Sequence, residues 1–152
     1  MQPPNEKQIQ AAAFTETKLL AENARNVISL GRINEKIVVR KRFRAATANP
    51  DRCPASRRFD AERRYAWTLS EDSDFVLRPI STIVEAPVMA MVMPYCVHGS
   101  LDILCRRPLT QQWRLLLMTD AAKGVAHAHS LNVILRDVKP GNCLVFDDGV
   151  VS

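Results

Sequence analysis

The sequence predicts an α+β fold in two lobes, and three observations carry that reading. Short β-branched segments crowd the stretch from Asn26 to Val92, and a helical pattern runs from Thr110 to Ser130. Between them lies a polar linker, Pro94-Tyr95-Cys96-Val97-His98-Gly99. Strands first and helices afterwards, divided by a linker, are the signature of segregated α and β layers. Of the 152 residues, 47% are hydrophobic and 24% charged, enough apolar material for a packed core.

Taken in order, residues 1–18 read as an N-terminal tail, with at most a short helix over 6–18. Val27–Leu30 and Lys36–Lys41 flank a polar turn, Gly31–Glu35, and together predict a hairpin. Residues 45–56 hold two prolines with Asn49, Asp51 and Ser56, a loop composition. Phe59, Ala66 and Leu69 recur at helical spacing, which predicts a helix over Arg57–Leu69. Phe75–Leu77 and Val88–Val92 read as further strands, with Pro79 and Pro87 as breaks. Ser100 stands where it would cap a short helix over Leu101–Cys105. In the long helix, Leu115, Leu116, Ala122, Val125, Ala126 and Ala128 are the expected apolar stripe. Val133–Leu135 and Cys143–Phe146 flank a loop, and Asp147-Asp148-Gly149 predicts a turn onto a strand at Val150-Val151.

Charge and cysteine usage exclude several classes. Lysine plus arginine outnumber aspartate plus glutamate by 21 to 16, a net charge of +5. The excess gathers at Arg40–Arg44 and at Arg57, Arg58, Arg63 and Arg64, a field that attracts polyanions. Without interleaved aromatics it reads as a solvated basic face, so no nucleic-acid partner is expected. Cys53, Cys96, Cys105 and Cys143 form no C-x-x-C pair, which points to free thiols in a reducing compartment, cytoplasmic or nuclear. No window holds 18 uninterrupted apolar residues and no leader pattern opens the chain, so no membrane association is expected. His127 and His129, two apart on a helix, point to different sides and do not suggest a metal pair.

The chemistry concentrates in Arg136-Asp137-Val138-Lys139-Pro140-Gly141-Asn142. A carboxylate, an ammonium and an amide within six residues suit a reaction governed by positioning of charge. The segment resembles the catalytic loop of eukaryotic-type protein kinases. The resemblance implies that Asp137 orients and deprotonates a substrate hydroxyl, that Lys139 neutralises the γ-phosphate, and that Asn142 binds a magnesium ion. Lysine followed by proline at 139–140 is similar to the serine/threonine type, and fits it better than the aminoglycoside-type phosphotransferases.

Further matches surround the loop. Ala121–Ile134 resembles the family's long helix and the short strand that leads into the loop. Met91–Leu101 resembles its hinge, with Met93 as gatekeeper and the backbone of Pro94 and Cys96 facing adenine. Leu144 falls at the apolar position beneath the adenine ring. Val38-Val39-Arg40-Lys41 stands at the family's lysine-bearing strand, so that Lys41 would reach the α- and β-phosphates and pair with Glu62, 21 residues on. The resemblance divides the chain into a small lobe at 19–93, a hinge at 94–99 and a partial helical lobe at 100–152, cut off before the D-F-G motif. Counting back from Lys41, the glycine-rich loop falls on Leu20 to Val27. There Val27 matches, but Leu20, Glu22 and Arg25 replace glycines. Val39 replaces an alanine and Leu135 a histidine.

Two functions are compatible with these residues. One is ATP- and magnesium-dependent phosphoryl transfer to serine or threonine of a protein substrate, the 152 residues alone being expected inactive. The other is a pseudokinase-type interaction module with weakened nucleotide binding. An Asp-Phe-Gly beyond Ser152 would favour the first.

Overall fold

The computed structural model describes residues 6–44 and 54–146. The predicted loop residues 45–53, Cys53, the turn at Asp147–Gly149 and the strand at Val150-Val151 lie outside them. The chain forms two compact units. One runs up to Thr68 and adds Arg78–Tyr95; the other combines Leu69–Leu77 with Cys96 onward.

The first unit is built on a five-stranded antiparallel sheet. Its strands are β1 (Thr15–Glu22), β2 (Asn26–Ile33), β3 (Lys36–Phe43), β4 (Ser81–Glu85) and β5 (Val88–Pro94), in the order β1-β2-β3-β5-β4. The expected β2–β3 hairpin is present, with a turn of only Asn34 and Glu35, both at positive φ (46° and 65°). Two residues in that conformation match the right-handed twist of the flanking strands. The turn sets a pairing in which Ile28 faces Lys41, Leu30 faces Val39 and Val27 faces Arg42.

Directly opposed residues share a face of the sheet, so each face can be read from the pairing. On one face Phe43 and Met91 pack with Ala55 and Phe59 of helix α1 (Pro54–Leu69). The Phe43 and Phe59 rings meet edge to face, 5.4 Å apart. On the other face Val38, Ile83, Ala90 and Val92 are covered by Phe14, with Ile9 and Ala11 packed alongside.

That cover corrects the reading of residues 6–18 as a tail; residues 1–5 lie outside the described residues. Lys7–Ile9 hydrogen-bond to Thr82 at the β4 edge, a 3-10 turn follows at Ala11–Ala13, and the chain becomes β1 at the opposite edge. The segment is a strap across the sheet. Burying Phe14 contributes roughly 1.5–3 kcal/mol toward holding it. β1 escaped the sequence reading because all eight of its residues are exposed and two register shifts interrupt its pairing. An edge strand of that kind carries no alternation.

The second unit contains α2 (Leu101–Leu104) and α3 (Gln111–Ser130). Thr110 caps α3, its hydroxyl accepting from the Trp113 N–H at 3.2 Å. Ser100 precedes α2 as expected, but its hydroxyl bonds the Asp102 carboxylate (2.6 Å) rather than a backbone amide. The expected apolar stripe of α3 holds at Ala128 but is displaced at its start. Leu117, Gly124 and Ala128 are buried, whereas Leu115 and Leu116 are exposed. Leu117 packs with Leu101 and Val145.

Phe75–Leu77 is not a strand. Its backbone lies against α3 at Gly124, where an added Cβ would stand 2.6 Å from the Phe75 carbonyl oxygen. The strand begins after Pro79, at Ser81, and carries the β-branched Thr82-Ile83-Val84.

Gly31 shows how tightly the strap is seated. A Cβ there would run into the Phe14 ring and the Thr15 backbone carbonyl. Gly31→Ala should therefore destabilise the protein by about 1–3 kcal/mol, read from urea denaturation followed by circular dichroism. An unchanged midpoint would show that Phe14 is not held against β2.

Candidate active site

The candidate residues fall into two groups, one in each unit, and each group has its own geometry.

In the first unit Lys41 points from β3 toward α1 and forms an ion pair with Glu62. Lys41 is largely buried and Glu62 partly so, at 20% and 42% side-chain exposure. The helix brings Glu62 there because Phe59 and Ala66, three or four residues to either side, form the buried stripe. Val39 shares Lys41's face and stands opposite Met93; Pro94 ends β5 opposite Val38. Lacking an N–H, Pro94 can offer only its carbonyl.

Val27 does not join them. It pairs with Arg42, on the face covered by Phe14, and is buried there. Ile28 and Leu30 occupy the Lys41 face instead. The parity follows from the two-residue turn, which spacing counted backward from Lys41 does not register.

The hairpin between β1 and β2 stands where glycines were missing. Asn23 closes it. Its side-chain oxygen accepts from the backbone N–H groups of Arg25 (2.8 Å) and Asn26 (2.9 Å). Its own N–H donates to the Asn26 carbonyl at 3.0 Å. The Arg44 N–H bonds the Arg25 carbonyl at 2.8 Å, and Arg44 pairs with Glu22. This tip is an Asx turn in which the N–H groups of Asn23, Arg25 and Asn26 are used internally. Asn23 was not singled out from the sequence, although an asparagine at a strand end is a turn signal.

In the second unit Asp137, Lys139 and Asn142 form one exposed cluster. The Asp137 carboxylate accepts from Lys139 Nζ at 2.7 Å and from Asn142 Nδ2 at 3.0 Å. Asn142 Nδ2 also donates to the Asp137 carbonyl at 2.8 Å. A 3-10 turn at Pro140–Asn142, closed by the Asn142 N–H on the Lys139 carbonyl, folds the amide back onto the carboxylate. Proline suits the first position of such a turn because no N–H is needed there. Since a carboxylate only accepts, the amide must present its nitrogen, which leaves Asn142 Oδ1 as the remaining acceptor.

The chain leaving the loop is anchored. Leu144 bridges to Ser100, the Leu101 N–H bonds the Cys143 carbonyl at 2.8 Å, and the Val145 N–H bonds the Gly99 carbonyl at 3.0 Å. Cys96 is buried, its thiol meeting the Val145 carbonyl and its own carbonyl accepting from the Gly99 N–H.

Hydrogen bonds from Lys139, and then from Asn142, hold the Asp137 carboxyl below its ordinary pKa. Both favour the charged form, so the loop's mutual stabilisation is present above the ordinary carboxylate range and is lost as pH falls through the depressed value. Lys139→Met and Asn142→Ala should each raise the Asp137 pKa, as followed by carboxyl 13C shifts against pH. A titration unchanged in both would show the cluster does not persist in solution.

Among the described residues no three His, Cys, Asp or Glu side chains gather as a metal cluster, and no helix is long and apolar enough to cross a membrane. The protein kinase domain family matches residues 23–151. The serine/threonine-protein kinase cst-1 of Caenorhabditis elegans is 32% identical over 83 residues, 53% of this chain and 17% of that protein. The serine/threonine-protein kinase Tao of Drosophila melanogaster is 38% identical over 64 residues, 41% of the chain and 6% of that protein. The serine/threonine-protein kinase PknK of Mycobacterium tuberculosis is 35% identical over 99 residues, 60% of the chain and 8% of that protein. The chain thus spans a small fraction of these relatives, but the family match covers most of it. With a lysine–glutamate pair beside an antiparallel sheet and an Asp–Lys–Asn loop after a long helix, this chain belongs to the protein kinase domain family.

Proposed function

We propose that these residues serve ATP-dependent phosphoryl transfer to serine and threonine hydroxyls of a protein substrate. The observation that carries the reading is the Asp137 carboxylate held by Lys139 and Asn142. Kept ionised, Asp137 accepts the proton of an incoming hydroxyl, and the two donors fix its orientation. Lys139, 55% exposed, has reach to a phosphoryl oxygen while staying beside the carboxylate. Lys41, oriented by Glu62, binds the α- and β-phosphates.

Magnesium fits the chemistry of Asn142. Its Oδ1 is a hard oxygen donor, and magnesium commonly takes one or two protein oxygens together with phosphates and water. Bound there, the ion would neutralise charge on the phosphates. Adenine recognition falls to the Pro94 carbonyl and the Cys96 N–H, with Val39, Met93 and Leu144 as apolar walls; Val27 has no part in it. We assign residues 19–93 to the small lobe, 94–99 to the hinge and 100–152 to the large lobe, with residues 6–18 belonging to the small lobe as its strap. Free thiols at Cys96, Cys105 and Cys143 support a reducing, cytoplasmic setting. The similarity to serine/threonine kinases does not favour the interaction-module reading.

The Asn23 turn makes the nucleotide contacts unequal. Backbone N–H groups used on Asn23 are not available to phosphate, so adenine supplies most of the affinity. ATP and adenosine should bind the chain within about tenfold of each other, roughly 1.4 kcal/mol, by titration calorimetry with and without magnesium. Tight, magnesium-dependent ATP binding lost in Lys41→Met would show that the hairpin cradles phosphate despite Asn23. For transfer itself, tested in a protein that carries this segment within a whole kinase domain, Asp137→Asn should lower phosphate incorporation into serine/threonine peptides at least about 100-fold. Incorporation that survives the substitution would remove Asp137 from the mechanism.

A further inference from the structure

Two polar clamps hold α1 against a single row of the sheet. Lys41 on β3 stands opposite Met91 on β5, and Met91 stands opposite Thr82 on β4, so the three side chains form one row on the α1 face. At the β3 end the clamp is the ion pair of Lys41 with Glu62. At the β4 end it is Glu6, from the N-terminal strap. Its carboxylate is fully buried, accepts from the Thr82 hydroxyl at 2.6 Å and pairs with Arg63 Nη1 at 3.3 Å. Arg63 is itself 13% exposed, bonds Asp60 at 3.1 Å and lies over the Phe59 ring.

Glu62 and Arg63 are consecutive on the helix and project about 100° apart, so one reaches toward β3 and the other toward β4. Between them Met91 and Phe59 form an apolar fulcrum. Such a contact tolerates rotation of the helix, because dispersion is non-directional; two charged clamps on either side of it do not.

We propose that Glu6 is a positioning residue for the Lys41–Glu62 pair: by holding Arg63 to Thr82, the strap sets the rotation of α1 at which Glu62 meets Lys41. The proposal rests on the reading of that pair as part of the nucleotide site. Glu6 reaches the pair through the helix, by way of Arg63. Segments preceding β1 thereby acquire a route to the phosphate-binding lysine.

The test separates positioning from mere stability. The full chain is reductively methylated with 13C, and the Lys41 dimethyl resonance is assigned by Lys41→Arg. Glu62→Gln marks the unpaired position of that resonance. Glu6→Gln, which keeps a hydrogen-bond acceptor but loses the charge, should move the Lys41 resonance toward the unpaired position. The double variant Glu6→Gln with Arg63→Met removes the whole buried pair and, once circular dichroism shows it folded, should move the resonance as far. A folded variant whose Lys41 resonance stays at the wild-type position overturns the proposal. In parallel, Glu6→Gln should weaken ATP by roughly three- to tenfold in the native background but leave it unchanged in Glu62→Gln, as two coupled residues require. Equal losses in both backgrounds would reduce Glu6 to a structural role. Should the native chain bind no ATP, the nucleotide reading fails, and the Lys41 resonance still decides whether Glu6 sets the pair.

Discussion

The two residues of the Asn34–Glu35 turn determine which side chains of the first unit can meet. Side chains on a strand alternate between faces, so a single residue more or less in that turn would carry Lys41 away from α1 and put Arg40 or Arg42 in its place. With the turn as it stands, Lys41, Val39 and Phe43 share the helix-bearing face, while Arg40 stands on the other, where it pairs with Glu16 at 2.5 Å and covers the Phe14 ring. The lysine–glutamate pair, the apolar contact beneath α1 and the seat of the strap all inherit their register from this one connection. Glu35 holds a positive φ without being glycine, a conformation that costs a side chain roughly 1–2 kcal/mol. The sheet, paired on both sides of the hairpin, overrides that local preference.

The same register explains why neighbouring cations in a basic run behave so differently. Arg40 is desolvated, which pushes its pKa down, and Glu16 opposes that shift. Arg42, next but one along the strand, is exposed. Arg44 ties the β1–β2 tip through Glu22. A stretch that reads as a solvated basic face in one dimension is divided into a lysine facing α1, a buried strut and a tip anchor. Composition registers only the sum of these charges; their separate work depends on which partners each one meets.

Legibility from sequence followed the range of the interactions concerned. The Asp137–Asn142 loop was readable because its contacts close within six residues, and the α3 start was readable because Thr110 caps a backbone amide three residues away. The β2–β3 hairpin was readable from alternation on strands with one buried face. What escaped depended on partners distant in the chain. The strap is held by Thr82 and Arg63, 76 and 57 residues from Glu6. The α3 stripe shifted because Leu117, rather than Leu115 or Leu116, meets Leu101 and Val145. Phe75 lost its strand to a close approach at Gly124. Val27 was assigned by counting along a family pattern, and a count along one strand carries no information about the turn that sets its face.

The two groups of candidate site residues divide along the same lines. Holding a carboxylate ionised and oriented is a local task, and the 3-10 turn at Pro140–Asn142 accomplishes it with two donors from the loop itself. Holding a lysine in one direction is a long-range task, because the ammonium is aligned by a carboxylate on a separate helix, and that helix must in turn be fixed in rotation. A flexible four-carbon stem gives Lys41 no preferred direction of its own. Its orientation is therefore only as good as the placement of Glu62, and Glu62 is placed by α1 packing against Met91 and Phe43 on one side and by whatever holds Arg63 on the other. In this chain a fully buried carboxylate from the N-terminal segment does the holding. The Asp137–Asn142 loop is thus self-contained, while the Lys41–Glu62 pair sits on a helix that a segment preceding the first strand grips through Arg63, and that asymmetry follows from the reach of the interactions each requires.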